Sequence, residues 1–205
     1  MILLFVGAQG SGKGTQAKII SKKIKIVHIS SGDILRETSG KLKEQVDSYM
    51  NKGALVPDKI IAKILKERIK KEDCKNGFIL DGFPRNLEQA EEFEKIRKID
   101  RIIEISISDE EAIKRLKGRW NCKKCGIAYN VVTMPKPKKD KKCDQCGEEL
   151  SQRNDDINDE AIKKRLAIYH EETTPILSKY RDRAIKINGE QEIDRITEDI
   201  LKILK

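Results

Sequence analysis

Short apolar runs alternate along the chain with longer stretches in which Ile and Leu recur at helical spacing among Lys and Glu. Ile2-Leu3-Leu4-Phe5-Val6 has the length of a buried strand, and Gln16 to Lys23 follows with helical period. Ile24 to Ile29 reads as a second strand. It ends at Ser30-Ser31-Gly32-Asp33, where hydroxyls and a carboxylate offer a cap to a helix starting Ile34-Leu35-Arg36. Residues 41–51 read as a helix, Gly53 breaks it, and Pro57-Asp58 opens another to about Lys71. Asn76-Gly77 is a turn before the strand Phe78–Leu80, and a helix follows over Asn86 to Lys98. Arg101 to Ile105 is a fourth strand and Asp109 to Lys117 a helix. Periodicity then lapses over 120–152. It resumes as a long helical stretch from Asp159 to Tyr180, a strand at Ala184–Ile187, an Asn188-Gly189 turn and a closing helix at Ile193–Leu204. Strands alternating with helices predict an α/β fold: a parallel sheet covered by helices on both faces, with ligands at the carboxyl ends of the strands. Three stretches that follow strands, at residues 7–15, 31–33 and 81–85, should therefore meet in one crevice.

Gly7-Ala8-Gln9-Gly10-Ser11-Gly12-Lys13-Gly14-Thr15 sits between the first strand and the first helix, the context that a phosphate-binding loop requires. Glycines let backbone N–H groups turn inward, and the helix N-terminus adds partial positive charge. Lys13 supplies a mobile full charge. Gly14 stands where the general loop has Ser or Thr, and Thr15 follows it. Asp81, at the end of an apolar strand, matches the acidic residue that orients Mg²⁺ waters in P-loop enzymes. Both histidines lie outside these stretches, and His28, within a strand, reads as packed and hydrogen-bonded. A phosphate acceptor is already anionic at neutral pH and needs no general base. Catalysis would then rest on alignment and charge neutralisation by Lys, Arg and Mg²⁺.

The 120–152 segment has too few aliphatic residues for its own core. It carries Cys122-x-x-Cys125-Gly and Cys143-x-x-Cys146-Gly, with 17 residues between the pairs. Two such knuckles predict a tetrahedral Cys₄ zinc site that folds the segment, though the same ligands would also take iron. Four thiolates leave no open position, so the role is structural. Cys74 stands apart as a lone thiol.

The chain of 205 residues is 38% charged and only 4% aromatic, so its core must be aliphatic. Its formal charge of +9 raises nucleic-acid binding as a second reading: a nucleotide-switched protein gripping RNA or DNA through the lysine-rich ribbon. Against that reading, the basic excess is mostly Lys on helical faces, and the ribbon has one Trp, one Tyr and no stacking stripe. No apolar stretch approaches a membrane span, and the start has no basic leader. A cytoplasmic protein with reduced thiols is expected, with no membrane or nucleic-acid partner. A monomer is the default and a homo-oligomer is left open.

Taken together, the Gly-Lys-Gly-Thr-Gln loop, Ser30-Ser31-Gly32-Asp33-Ile34-Leu35-Arg36, Asp81-Gly82-Phe83-Pro84-Arg85 with Gln89, and Gly118-Arg119 before the cysteine segment resemble the adenylate kinases of the long, zinc-bearing type. Arg153-x-Asp155-Asp156, Lys164-Arg165-Leu166 and Ile187-Asn188-Gly189 extend the resemblance over essentially the whole chain. It implies reversible transfer of the terminal phosphoryl group from Mg-ATP to AMP, giving two ADP. It also implies a P-loop core (1–29, 60–118, 154–205), a helical monophosphate-binding flap (30–59) and a small zinc-ribbon lid (119–153). Gly10, Ser11, Gly12, Lys13, Gly14 and Thr15 would hold the donor phosphates. Arg115, Arg119, Gln191 and Ile193 would lie at the donor nucleotide. Ser31, Arg36, Leu55, Val56, Gly82, Arg85 and Gln89 would bind AMP, with Arg153 and Arg165 shared at the transferring phosphates. Lys13, Arg85, Arg119, Arg153 and Arg165 would be catalytic, and Asp33 and Asp81 would orient Mg²⁺ waters. Gln89 can donate and accept at once and so matches adenine's edge. A UMP/CMP acceptor, or GTP as donor to AMP, is the runner-up. Arg153 and Arg165 stand one residue further apart than in the family pattern, which places an extra residue near Ile157-Asn158.

Overall fold

The computed structural model describes residues 1–52, 54 and 56–204; Gly53, the expected helix breaker, and Leu55, expected at the AMP site, lie outside the described residues. The chain runs β1 (Ile2–Val6), α1 (Lys13–Ile24), β2 (Val27–Ser30), α2 (Ser31–Arg36), α3 (Gly40–Met50), α4 (Asp58–Arg68), β3 (Phe78–Asp81) and α5 (Leu87–Glu94). It continues through β4 (Arg101–Ser106), α6 (Asp109–Lys117), β5 (Arg119–Cys122), β6 (Ala128–Asn130), β7 (Leu150–Ser151), α7 (Asn154–Ile157), α8 (Asp159–Ile168), α9 (Thr174–Lys179), β8 (Ala184–Asn188) and α10 (Ile193–Leu204).

Five strands form one parallel sheet in the order β2-β3-β1-β4-β8. Because side chains alternate across a strand, its two faces sort the aliphatic residues cleanly. Leu3, Phe5, Ile79, Ile103 and Ile105 pack against Ala17 and Ile20 of α1 and Ile196 and Ile200 of α10. Leu4, Val6, Phe78, Leu80 and Ile102 face Leu35, Leu65, Phe93, Leu116, Leu166 and Ile176 from the opposite side. Each such fully buried side chain contributes about 1.5–3 kcal/mol of apolar transfer energy. The predicted layer order is the one formed. Among the described residues, no helix is long and apolar enough to cross a membrane.

Several element ends differ from the sequence expectation, each for a local reason. Ile24 closes α1 instead of opening β2: Lys25 turns left-handed at φ 56° and its N–H caps Ser21 O. Helix α4 stops at Arg68, whose guanidinium pairs with Asp73 beyond the helix end. Helix α5 stops at Glu94, because that carboxylate accepts from Ile99 N–H (3.0 Å) and from Arg183 Nη1 (2.8 Å), folding the chain back on itself. The long helical stretch expected over 159–180 is formed from Asp159 to Lys179, widened by one π-helical turn at Tyr169–Thr173 between α8 and α9. Pro175, in the first turn of α9, has no N–H to continue the ladder.

The cysteine segment forms its own three-stranded antiparallel sheet, β6-β5-β7, over a small core of Cys122, Tyr129, Cys143 and Leu150. Asn158, in the stretch where the extra residue is expected, lies between α7 and α8. Asn158 there is extended (φ −90°, ψ 113°), and its side chain caps α8 through Glu160 N–H and Ala161 N–H. Ile157 is left exposed.

Candidate active site

The loop after β1 wraps back on itself, with Ser11 N–H donating to Ala8 O at 3.1 Å. Gly12 carries φ 92° as the chain enters α1. The Lys13 ammonium donates to Ala8 O at 3.2 Å. Burial lowers its pKa to about 8; Asp81 opposes the shift, while Arg85, Arg119 and Arg165 add to it. Asp81 stands against the loop: a Cβ on Gly14 would lie 3.1 Å from its Oδ2, a tight contact that would press on the carboxylate. His28 Nε2 meets the same oxygen at 3.3 Å. The histidine is packed and hydrogen-bonded as expected, but its partner is a site carboxylate, a link the sequence reading missed. Burial works against the ionised form of Asp81, and is outweighed by the His28 bond and the charges of Lys13 and Arg85, so its pKa falls.

Register then brings the acceptor side together. Ser30 of β2 pairs with Asp81 of β3, which sets Ser31 beside Gly82. Ser31 Oγ donates to Gly82 O at 2.6 Å, and Arg85 Nε donates to the same carbonyl at 2.7 Å. Gly82 holds φ 78°, and a Cβ there would sit 2.7 Å from Ser31 Oγ, so only glycine fits. Ser30 caps α2 through Asp33 N–H at 3.2 Å, the predicted cap, and Asp33 faces Arg36 at 3.4 Å.

Six cations from six separate parts of the chain, Lys13, Arg36, Arg85, Arg119, Arg153 and Arg165, lie within electrostatic reach of one another. Burial lowers Arg85 to about 10, helped by Arg36, and Arg153 to about 9, helped by Arg119 and Arg36. Two carboxylates fix two members of the cluster, Arg119 and Arg165. Asp156 takes Arg119 in a bidentate pair (2.7 and 2.8 Å) and Arg165 Nη1 at 3.0 Å. Asp155 takes Arg165 Nη1 at 2.6 Å through its side chain and 2.7 Å through its carbonyl. Neither was assigned a role from sequence, although the acidic pair after Arg153 was visible. Arg165 Nη2 and Ser11 Oγ are buried and have no protein partner among the described residues, so they still have hydrogen bonds to donate to phosphate oxygens. A cavity of about 60 Å³ between the loop and Arg85 is lined by Gly7, Gln9, Lys13, Gly82, Pro84, Arg85, Tyr169 and Thr173 with Phe5 and Val6.

Of the residues expected at the donor nucleotide, Arg115 is fixed by Glu111 (2.7 Å) and Gly189 O (3.0 Å), and Gln191 Nε2 donates to Asn188 O at 3.0 Å. Ile193 opens α10, and its carbonyl is held by the buried Gln16 amide at 2.8 Å, a contact the sequence reading did not foresee. Val56, Arg85 and Gln89, expected at the AMP site, line an apolar cleft with Leu35, Met50, Ala54 and Ile61. Of these, Leu35, Met50, Ala54 and Ile61 were not singled out from sequence; helical periodicity marks Leu35 and Ile61 as inward-facing and no more.

The two knuckles repeat one geometry. Gly126 N–H donates to Cys122 O (2.9 Å) and Gly147 N–H to Cys143 O (2.8 Å), with φ of 67° and 73° that favour glycine. The four Sγ atoms lie within 4.8 Å of one another, with separations of 3.4 Å (122–146), 3.4 Å (125–143) and 3.8 Å (125–146). A tetrahedron of thiolates about 2.3 Å from a zinc ion has edges of about 3.8 Å, so the cluster fits the metal. Lys18 Nζ of α1 donates to Gly126 O at 3.0 Å, which seats the first knuckle against the helix that carries the phosphate loop.

A strand–loop–helix phosphate cradle facing a ring of arginines defines a P-loop phosphotransferase. A family model described as adenylate kinase matches residues 5–185. The chain belongs to the adenylate kinase family. Similar proteins named adenylate kinase include that of Caldicellulosiruptor bescii, 46% identical, with 100% of this chain and 99% of the relative aligned. That of Archaeoglobus fulgidus is 43% identical over 100% and 98% of the two chains, and that of Thermosipho africanus 40% identical over the full length of both.

Proposed function

We propose how this chain carries out the reversible ATP:AMP phosphotransfer of its family. The P-loop amides from Gly10 to Thr15 and Lys13 hold the β- and γ-phosphates of the donor. Arg36 and Arg85 hold the AMP phosphate, with Ser31 and Gly82 shaping its seat. Arg119, Arg153 and Arg165 close over the transferring group. One AMP phosphate oxygen bonds to the γ-phosphorus as the bond to the β–γ bridging oxygen breaks, leaving ADP on both sides. No proton moves. The barrier falls because oxygens that carry the developing charge meet preorganised guanidinium donors in a site shielded from water. Asp33 and Asp81 would orient the water ligands of the Mg²⁺ that accompanies ATP, and that ion neutralises phosphate charge when bound. Arg115, Gln191 and Ile193 lie against the donor base, and Leu55, Val56 and Gln89 against the acceptor base. Residues 30–59 act as the monophosphate flap. Residues 119–153 act as a lid, stiffened by zinc on Cys122, Cys125, Cys143 and Cys146, around the core of 1–29, 60–118 and 154–205. The chain works as a cytoplasmic monomer.

The observation that supports these roles best is the cluster of six cations gathered beside the phosphate loop, with Lys13 and Arg85 lining one small cavity and Arg119 and Arg165 held by Asp155 and Asp156. Asp33, Asp81, Asp155 and Asp156 offset part of this like charge, and a bound polyanion would relieve the remaining repulsion. The test is direct. ATP, Mg²⁺ and AMP alone, with no nucleic acid, yield ADP at a rate proportional to enzyme, and ADP alone yields ATP and AMP. AMP gives the highest kcat/KM among AMP, GMP, CMP and UMP. A faster reaction with UMP or CMP would overturn the acceptor assignment.

A further inference from the structure

Asp58 opens α4 at the end of the flap, and its two oxygens face α5. Oδ1 accepts from Gln89 Nε2 at 2.5 Å, and Oδ2 accepts from Asn86 Nδ2 at 3.3 Å. On its other side the same Gln89 amide accepts Arg85 N–H through Oε1 at 2.7 Å. The backbone beneath is held as well, because Asn86 caps α5 by accepting Gln89 N–H at 2.8 Å. Gln89 is only 4% exposed.

These contacts leave the amide one orientation. A carboxylate only accepts and a backbone N–H only donates, so Gln89 must turn its nitrogen to Asp58 and its oxygen to Arg85. Each end then keeps one unused valence: one N–H and one lone pair. Adenine presents the complement, a ring-nitrogen acceptor at N1 beside an amino donor at N6. Hypoxanthine presents the inverse, a donor at N1 beside a carbonyl acceptor at position 6. A glutamine that could flip would read both bases equally well, since rotation by 180° exchanges its donor and acceptor.

We infer that Asp58 is the specificity-positioning residue of the acceptor site. It locks the Gln89 amide in the orientation that matches adenine and mismatches a 6-oxopurine. The inference rests on the proposed role of Gln89 as reader of the acceptor base, and it places the choice between the two purine edges on a residue that need not touch the nucleotide.

The experiment compares kcat/KM for AMP and IMP at saturating Mg-ATP. IMP is the probe because it differs from AMP only at that edge. Asn at position 58 keeps the size but can donate as well as accept, so Asp58→Asn removes one of the two locks. The AMP-to-IMP ratio is expected to fall roughly tenfold, the scale of one charge-assisted hydrogen bond in a closed site. The change should come through a higher AMP KM and a gain with IMP, while the KM for ATP holds. Asp58→Glu, which again only accepts, should restore most of the ratio. Asp58→Ser, whose hydroxyl both donates and accepts, replaces the Asn variant if that one does not fold. A collapsed ratio in Gln89→Ala with an unchanged ratio in Asp58→Asn overturns the role of Asp58 alone. Equal losses in Asp58→Asn and Asp58→Glu overturn it too, by reducing it to helix support. An unchanged ratio in Gln89→Ala overturns the reading of Gln89 and the inference with it.

Discussion

Lys13 is at once the site's most useful charge and a burden on the fold. Burial, aided by Arg85, Arg119 and Arg165, lowers its pKa from 10.5 to about 8, with Asp81 as the opposing partner. The folded chain thus holds this proton less tightly than the unfolded chain does. The resulting cost to stability is full below pH 8 and disappears as pH rises from about 8 to 10.5. Lys13→Met should therefore lose phosphoryl transfer by on the order of 10²–10³ or more, because a charge at the transferring group is gone. The same variant, free of nucleotide, should melt a few degrees higher at pH 7, the scale of about 1 kcal/mol in a chain of this size. That gain should shrink across the pH window just given. Initial rates and thermal melts at pH 7 and pH 10 check both halves. For the wild-type chain, kcat/KM for ATP should decline above pH 8 as free enzyme loses the Lys13 proton. A full-rate Lys13→Met enzyme would contradict the site assignment. At this scale the sequence was a good guide to which residues matter and a poor one to their partners. Lys13 was legible from its loop, whereas its electrostatic neighbours are 68 or more residues away in the chain, and nothing local announces them.

Among the elements, the cysteine segment has the least apolar support. Its core holds two cysteines, Tyr129 and Leu150, with no aliphatic layer from a second sheet. Metal–thiolate bonds then have to supply the folding energy that burial does not. One zinc per chain is expected by elemental analysis. Replacing Cys143 and Cys146 with Ser should abolish it, broaden or lower the first thermal transition and leave the parallel sheet folded. Because the knuckle resting on Lys18 would lose its shape, ATP hydrolysis should also rise relative to transfer to AMP. Retention of stoichiometric metal in the double variant would contradict the Cys₄ assignment. The C-terminal helices carry the complementary lesson. Helical periodicity runs from Asp159 to Tyr180 and the chain is helical from Asp159 to Lys179, but the pattern does not show the π-helical turn at Tyr169–Thr173 that precedes Pro175. A single proline is the local signal for that wider turn, because it has no N–H to continue the regular ladder.

For the whole molecule, the order β2-β3-β1-β4-β8 puts the phosphate loop, Ser31 and Asp81–Arg85 at the same edge, since β1 and β2 both flank β3. On the proposed assignment, donor and acceptor share one set of charges, so each ligand should relieve repulsion that the other would otherwise have to relieve. ATP without Mg²⁺ and AMP should each raise the melting temperature, by roughly 2.7 kcal/mol of linkage energy at a hundredfold excess over Kd. A non-transferable ATP analogue with AMP should raise it further than either alone. No shift with either nucleotide would contradict the shared-site picture.

What the sequence determined by itself was whatever depends on local spacing. The strand and helix alternation, the phosphate loop, the two Cys-x-x-Cys-Gly knuckles and the Ser30 cap are each specified within a window of about ten residues, where period and turn chemistry act. Tertiary structure alone decided which groups share a low-dielectric space. His28 became a partner of Asp81, Gln16 a brace for Ile193, Asp155 and Asp156 the anchors of Arg119 and Arg165, and Asp58 the neighbour of Gln89. Hydrogen-bond valence and Coulomb energy act over a few ångströms of space, whatever the distance along the chain. They could be counted only once the parallel sheet had brought its strand ends together.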